Sequence, residues 1–202
     1  MAKLLLNADG KVLTSNDKVL KAPETVNIIK TLLDSRRDAK YLFYDYPGTS
    51  VDDFISYSTT ENVIDMNSMF YACTKLQTIP QLNTSLVENM SYTFYRCNKL
   101  QTIDITSLDK ISSANNLTNF AAFCFSLTKL IIRTMTVIPP LNTTSFHNCY
   151  RFEGKANSTY NPTGAKDGRI YVPDDKVEEL KAATNWSAFA DIIVPLSTLV
   201  EE

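Results

Sequence analysis

The chain has 202 residues, 44% hydrophobic and 21% charged, with 20 Lys and Arg against 22 Asp and Glu and a formal net charge of −2. That composition excludes wholesale disorder and collagen-like or coiled-coil chains, and the charge balance speaks against a large phosphate-binding surface, so no nucleic-acid partner is expected. Five glycines and a single histidine leave little material for phosphate loops or metal clusters, while the length allows roughly 70% of the unfolded surface to be buried without metal staples.

Met1 to Gly10 contain three consecutive leucines before the chain turns polar, short of the apolar stretch of a signal peptide. No apolar run approaches the roughly 18 to 20 residues that cross a bilayer, so no membrane insertion is expected. Leu4 to Leu20 read as a hairpin-rich start, with Asp9-Gly10 and Ser15-Asn16-Asp17 as turns between short apolar runs. Thr25 to Arg36 place Val26, Ile29, Leu32 and Leu33 at helical spacing, with Arg36-Arg37 where they favour the helix dipole. Tyr41 to Tyr46 is aromatic-rich and reads as a strand stopped by Pro47-Gly48. This N-terminal α+β region, residues 1–58, has two readings: a cap on the remainder of the chain, or a module that docks the chain onto a larger assembly.

A repeat then dominates. Met66-Asn67-Ser68-Met69-Phe70-Tyr71-Ala72-Cys73-Thr74-Lys75-Leu76-Gln77-Thr78-Ile79 recurs 24 residues later as Met90-Ser91-Tyr92-Thr93-Phe94-Tyr95-Arg96-Cys97-Asn98-Lys99-Leu100-Gln101-Thr102-Ile103. A weaker third copy is placed at an offset of 30, equating Phe94 with Cys124, Cys97 with Leu127 and Lys99 with Lys129. On that alignment the third copy carries six extra residues, Ser112 to Asn116 among them, expected to form a bulge or loop. Phe146, Cys149 and Phe152 take the Phe, Cys and Leu places of a fourth. A period of about 20 to 29 residues with Leu and Ile at fixed offsets is the mark of a leucine-rich repeat. Units that cannot bury their own apolar faces must stack, with caps at both ends. The expected fold class is α+β: a leucine-rich-repeat solenoid of about four repeats of 22–30 residues at 59–167, between the region 1–58 and a strand-helix cap at 168–202.

The segment F-Y-x-C-x-K-L-x-x-I, preceded by V-x-x-M-x-x-M, resembles the BspA-type leucine-rich repeat of bacterial surface proteins and of phage and prophage structural proteins, over roughly Asn62 to Phe152. Ile170-Tyr171-Val172-Pro173-Asp174-Asp175-Lys176-Val177, through Trp186 to Pro195-Leu196-Ser197, is similar to a terminal segment that often closes such repeats. The resemblance implies a non-enzymatic recognition or structural protein, a virion component made in the host cytoplasm, holding a protein or glycan of a host surface. Its N-terminal region would meet other virion proteins. An intracellular interaction module, such as an inhibitor of a host defence protein, and a bacterial surface adhesin are the alternatives.

Within the terminal segment, Asp175 with Glu178 suggests a capping box opening a helix through Ala183, whose Val177 and Leu180 face inward. Trp186 reads as part of the cap, with stacking on a sugar as the other reading. Cys73, Cys97, Cys124 and Cys149 occupy repeat positions, which favours reduced, buried thiols. A disulfide between stacked units remains open, and metal ligation is disfavoured because thiols in line do not make a tetrahedron.

No enzymatic activity and no cofactor are expected. His147 is the only imidazole, the carboxylate pairs Asp52-Asp53, Asp174-Asp175 and Glu178-Glu179 diverge, and no glycine-rich phosphate loop is present. Asn-x-Ser/Thr occurs at Asn83, Asn89, Asn116, Asn142, Asn157 and Asn185, where short polar side chains serve as hydrogen-bonded corners. The candidate binding residues are rows of equivalent side chains about 4.8 Å apart: Tyr71 with Tyr95, Lys75 with Lys99 and Lys129, and Gln77-Thr78 with Gln101-Thr102.

Overall fold

The computed structural model describes residues 22–201. The hairpin-rich start expected at 4–20 lies outside the described residues. The helix α1 (Ala22–Arg36) buries Ile29 and Leu33, four residues apart on one face. The side chains of Val26 and Leu32, the other two expected apolar contacts, lie outside the described residues. Lys30 Nζ ties the helix to the one-turn 3-10 helix Tyr57–Thr60, donating to the Ser58 carbonyl at 3.1 Å and to Glu61 Oε1 at 2.7 Å.

Beyond α1 the chain forms a pile of turns joined by backbone hydrogen bonds. Phe43 and Asp45 donate to Met69 and Tyr71, Phe70 and Ala72 to Thr93 and Tyr95, Phe94 and Arg96 to Phe120 and Ala122, and Phe123 to His147, all at 2.8 to 2.9 Å. Each turn is cornered by residues with positive φ. One column of them runs Tyr41, Ser68, Tyr92 and Asn119, and a second runs Asp45, Ala72, Arg96, Phe123 and Asn148. Left-handed residues four apart bend the chain twice per turn, which is incompatible with an extended strand. The expected strand at Tyr41 to Tyr46 is therefore a turn, and Phe43-Tyr44-Asp45-Tyr46 is the first tier of the pile rather than part of a separate cap.

Regular strands appear only later. β1 (Thr102–Ile105), β2 (Lys129–Ile132), β3 (Arg169–Val172) and β4 (Ile193–Pro195) form one parallel sheet in the order β1-β2-β3-β4. Ile103, Ile105, Leu130, Ile132, Ile170 and Val172 are buried, alternating with half-exposed Thr102 and Asp104 on β1 and Arg169 and Tyr171 on β3, while on β2 only Lys129 is half-exposed and Ile131 is buried as well. This sheet corrects the expected leucine-rich-repeat solenoid with caps. A leucine-rich repeat supplies a strand per unit, whereas of the two clearest sequence repeats 66–79 supplies only turns and 90–103 reaches a strand only at Thr102 and Ile103, which open β1. Two of the four strands come from the segment 168–202, where they continue the sheet to its edge at β4. Of the expected class, only the loose description α+β survives.

The register also corrects the third copy. Thr102 pairs with Lys129 and Ile103 with Leu130, an offset of 27 rather than 30, so Cys124 falls beside Cys97 and Leu127 beside Leu100. The shift puts Ala121 at the place of Phe94. Phe120, one residue earlier, fills the space edge-on, with ring centroids 5.4 Å apart and planes at 83°. In the tiers before it the buried rings lie parallel, Phe43 on Phe70 and Phe70 on Phe94, both 5.4 Å apart at 2° and 6°. The bulge expected around Ser112 to Asn116 holds a short 3-10 helix, Ala114–Leu117, capped by the Ser113 hydroxyl accepting from the Asn115 amide at 3.3 Å.

All four cysteines are free thiols buried in one column. Each Sγ donates to a carbonyl of the preceding tier: Cys73 to Phe43, Cys97 to Phe70, Cys124 to Phe94 and Cys149 to Ala121, at 2.9 to 3.1 Å. Asn side chains make the expected corners, Asn83, Asn89, Asn142 and Asn157 each accepting from the backbone amide two residues on.

After the one-turn helix α2 (Tyr150–Glu153) and β3, a 3-10 turn leads into α3 (Val177–Ala182), which buries Val177 and Leu180. The expected capping box is not made: Lys176 occupies the N-cap without a side-chain bond. Trp186 is 1% exposed, and its Nε1 donates to the Pro139 carbonyl at 2.8 Å, which removes it from any sugar-stacking surface.

Candidate functional site

The tiers place equivalent side chains in rows, and the most continuous row is aromatic. Tyr44 stacks on Tyr71 with centroids 4.9 Å apart and planes at 2°. Tyr71 stacks on Tyr95 at 4.8 Å and 22°. Phe123 then meets Tyr95 edge-on at 5.4 Å, and His147 meets Phe123 at 5.5 Å. Tyr41 flanks Tyr44, and Tyr92 flanks Tyr95, at 5.8 and 5.7 Å. At the far end Phe125 packs on Tyr150 and Tyr160, 5.1 and 5.0 Å away. These rings are partly open to solvent, Tyr44 reaching 40% exposure. The exposed Arg96 guanidinium lies 5.5 Å from the Tyr95 ring centroid and 5.9 Å from that of Phe123, a geometry in which the ring quadrupole holds the cation.

Tyr44, Tyr71 and Tyr95 lie face against face, so their faces are largely covered by one another. Burial within the row, with the neighbouring Tyr95 and Tyr44, pushes the Tyr71 phenol above its ordinary pKa, so it stays a protonated donor. The surface therefore combines phenol hydroxyls, ring edges and one guanidinium on a framework rigidified from below by the Phe and Cys columns.

The other candidate residues are not members of this row. Lys75 and Lys99 are exposed at equivalent places one tier apart. Lys129 does not extend their row, since it pairs with Thr102. Gln77, Thr78, Gln101 and Thr102, with Ile79, line a shallow cavity of about 190 Å³. The Gln77 backbone amide donates to the Thr49 carbonyl at 2.8 Å. Of the nine residues read from the sequence, the structure thus joins Tyr71 with Tyr95 in one row and four others around one groove.

Tyr44, Tyr92, Phe123, Phe125, Tyr150 and Arg96 were missed. The signal for Tyr44 was present, since Phe43-Tyr44 repeats Phe70-Tyr71 at an offset of 27; the strand reading of Tyr41 to Tyr46 concealed it. Phe123 was hidden by the wrong offset of the third copy.

Reactive chemistry finds little support in this geometry. Burial pushes the Cys97 and Cys149 thiols well above their ordinary pKa, which suppresses the thiolate that nucleophilic or metal chemistry needs. His147 is exposed and packs on Phe123. Among the described residues no group of three or more His, Cys, Asp or Glu side chains could hold a metal ion, and no helix is long and apolar enough to cross a membrane.

Fold and surface together define a class: an α+β protein of piled turns and a parallel sheet, presenting an aromatic row. Residues 37–136 match the family described as "Mycoplasma protein of unknown function, DUF285". The matched stretch starts at the entry to the first tier and ends just past β2, so it takes in most of the aromatic row. No curated protein and no solved structure matches the chain.

Proposed function

We propose that this chain is a non-enzymatic recognition protein that grips a host-surface protein or glycan through the row Tyr44, Tyr71, Tyr95 and Phe123. The observation that carries the reading is the unbroken ring contact from Tyr44 to His147 across successive tiers. Rigid aromatics supply large contact area at low conformational-entropy cost, and their hydroxyls add hydrogen bonds. Arg96 adds a charged anchor of the type that dominates binding hot spots. The Gln and Thr groove supplies a second, polar surface on the same tiers.

The setting follows from the resemblance of the 24-residue repeat to BspA-type sequences in phage and prophage structural proteins: the chain is a virion component. Purified particles analysed by mass spectrometry should contain it at a symmetric copy number. Absence from particles, with one host protein recovered at fixed stoichiometry from infected cells, overturns the virion setting in favour of an intracellular binder. For the surface itself, the variant Tyr71→Ala with Tyr95→Ala should lose at least about tenfold in affinity for bacterial envelope fractions. Unchanged binding by a folded double variant overturns the aromatic row as the contact face.

A further inference from the structure

We propose that a second cavity, at the end of the pile remote from Tyr44, is a binding site for a neutral, hydroxyl-rich ligand, with a single sugar residue as the class that fits. The cavity holds about 370 Å³, within the range of roughly 300 to 1,000 Å³ of small-ligand sites. Its walls come from three places: Asn142 and Thr143 on the last tier, Glu153 and Lys155 at the end of α2, and Asn185 and Phe189 beside Trp186.

Two bonds clamp these walls together. Asn185 Nδ2 donates to the Leu141 carbonyl at 2.6 Å, and Trp186 Nε1 to the Pro139 carbonyl at 2.8 Å. Asn185 sits at φ 66° at the start of the Trp186–Phe189 turn, a conformation that asparagine adopts readily. The cavity is therefore built into the fold rather than opened by a ligand.

The pairing of the polar groups selects the ligand. Both cations are already neutralised: Lys155 Nζ lies 3.0 Å from Glu153 Oε2, and Lys166 Nζ lies 2.6 Å from Asp191 and donates to the Ala188 carbonyl. The groups left for a ligand are an amide oxygen and a hydroxyl. Glu153 Oε2 is buried against Lys155 and closed to a ligand, whereas among the described residues Asn185 Oδ1 receives no hydrogen bond and the exposed Thr143 hydroxyl makes none. A phosphate or carboxylate ligand brings only acceptors, and both lysines that could receive it are already paired. A sugar brings hydroxyl donors, and the partly open Phe189 ring gives its apolar face a platform.

The test uses the full chain titrated with glucose and N-acetylglucosamine by calorimetry and ligand-observed NMR, with glucose 6-phosphate and inorganic phosphate as charged probes. Saturable binding of at least one neutral sugar near about 1 mM is expected. Thr143→Trp fills the cavity from an exposed position and should weaken that binding by at least about tenfold with unchanged circular dichroism. Glu153→Gln, which frees Lys155 from its partner, should strengthen phosphate binding severalfold, and unchanged phosphate binding in the folded variant overturns the pairing as the basis of ligand choice; should that variant fail to fold, Thr143→Trp alone carries the location. Failure of both sugars to bind at about 50 mM overturns the site, as does equal affinity in a folded Thr143→Trp variant. Tighter binding of glucose 6-phosphate or phosphate than of glucose overturns the neutral-ligand assignment. The variant Tyr71→Ala with Tyr95→Ala leaves this cavity intact and should bind the sugar as the native chain does, so the result is independent of the aromatic row.

Discussion

The tiers between Asp38 and Cys149 and the sheet-and-helix end between Arg169 and Leu199 reach order by opposite means. In the tiers, like residues lie over like: Phe on Phe, Tyr on Tyr, and Cys Sγ to the carbonyl one tier before. Each tier needs only its neighbours. The C-terminal end has no such recurrence and is held by long ties, Trp186 to Pro139 across 47 residues and Asn185 to Leu141 across 44. Arg133 adds a third, bridging Asp104 through two bonds and Glu201 through another, across 29 and 68 residues. Repetition makes a surface that continues in a row, whereas irregular ties make a concave site. The two proposed binding surfaces follow that division.

The most severe test of this contrast is Phe94→Ala. Phe94 is fully buried between Phe70 and Phe120, and its truncation should cost about 3 to 5 kcal/mol. One continuous core cluster runs from Ile29 to Ile193, so urea unfolding followed by Trp186 fluorescence and by far-ultraviolet circular dichroism should stay coincident while the midpoint falls. Separate transitions would show that the tiers and the C-terminal end unfold independently.

A smaller effect tests the cornering of the tiers. Ala72 sits at φ 61°, a conformation that costs an alanine about 1 to 2 kcal/mol. Ala72→Gly removes that strain but adds backbone entropy to the unfolded chain, for a net gain of roughly 0.5 to 1 kcal/mol. A lower denaturation midpoint would mean that the Ala72 methyl contributes more than its backbone strain costs.

The smallest effect lies at the C-terminal end. The Ser197 side chain and amide, bonding to Asp174, hold its carboxyl below the usual carboxylate range. A carboxyl lowered in the folded state contributes stability above its unfolded pKa and loses it as pH falls through the folded value. Amide exchange at Ser197 should therefore quicken relative to neighbouring amides on acidification, and Asp174→Ala should remove that pH dependence. Identical exchange profiles in both proteins would dismiss the tie.

Much of the tier interior was legible from spacing. Phe70, Phe94, Cys73, Cys97, Leu76 and Leu100 recur at 24 residues and are all buried. The helix at 177–182 and the inward Val177 and Leu180 were also readable. Tyr41 to Tyr46 was misread because aromatic residues favour strands by propensity, while its hydrogen bonds to Met69 and Tyr71 demand corners at Tyr41 and Asp45. The third copy was misaligned because Lys99-Leu100 matches Lys129-Leu130 at 30, whereas at 27 Lys99 falls on Ser126 and only the apolar residues and Cys97 with Cys124 agree. The choice rests on whether Phe120 can replace the ring missing at Ala121, a matter of packing. The capping box failed because a 3-10 turn precedes α3 and moves its N-cap to Lys176.

Spacing alone establishes that the chain repeats, which side chains fill the interior and that Tyr71 and Tyr95 share a row, because periodic apolar residues must be buried and period fixes face. It took the folded chain to establish that the repeats are mostly cornered turns rather than strands, that the segment 168–202 continues the sheet, and that Asn142, Glu153 and Asn185 enclose one cavity. Those outcomes depend on backbone hydrogen-bond partners and on contacts between residues tens of positions apart, which no local pattern specifies.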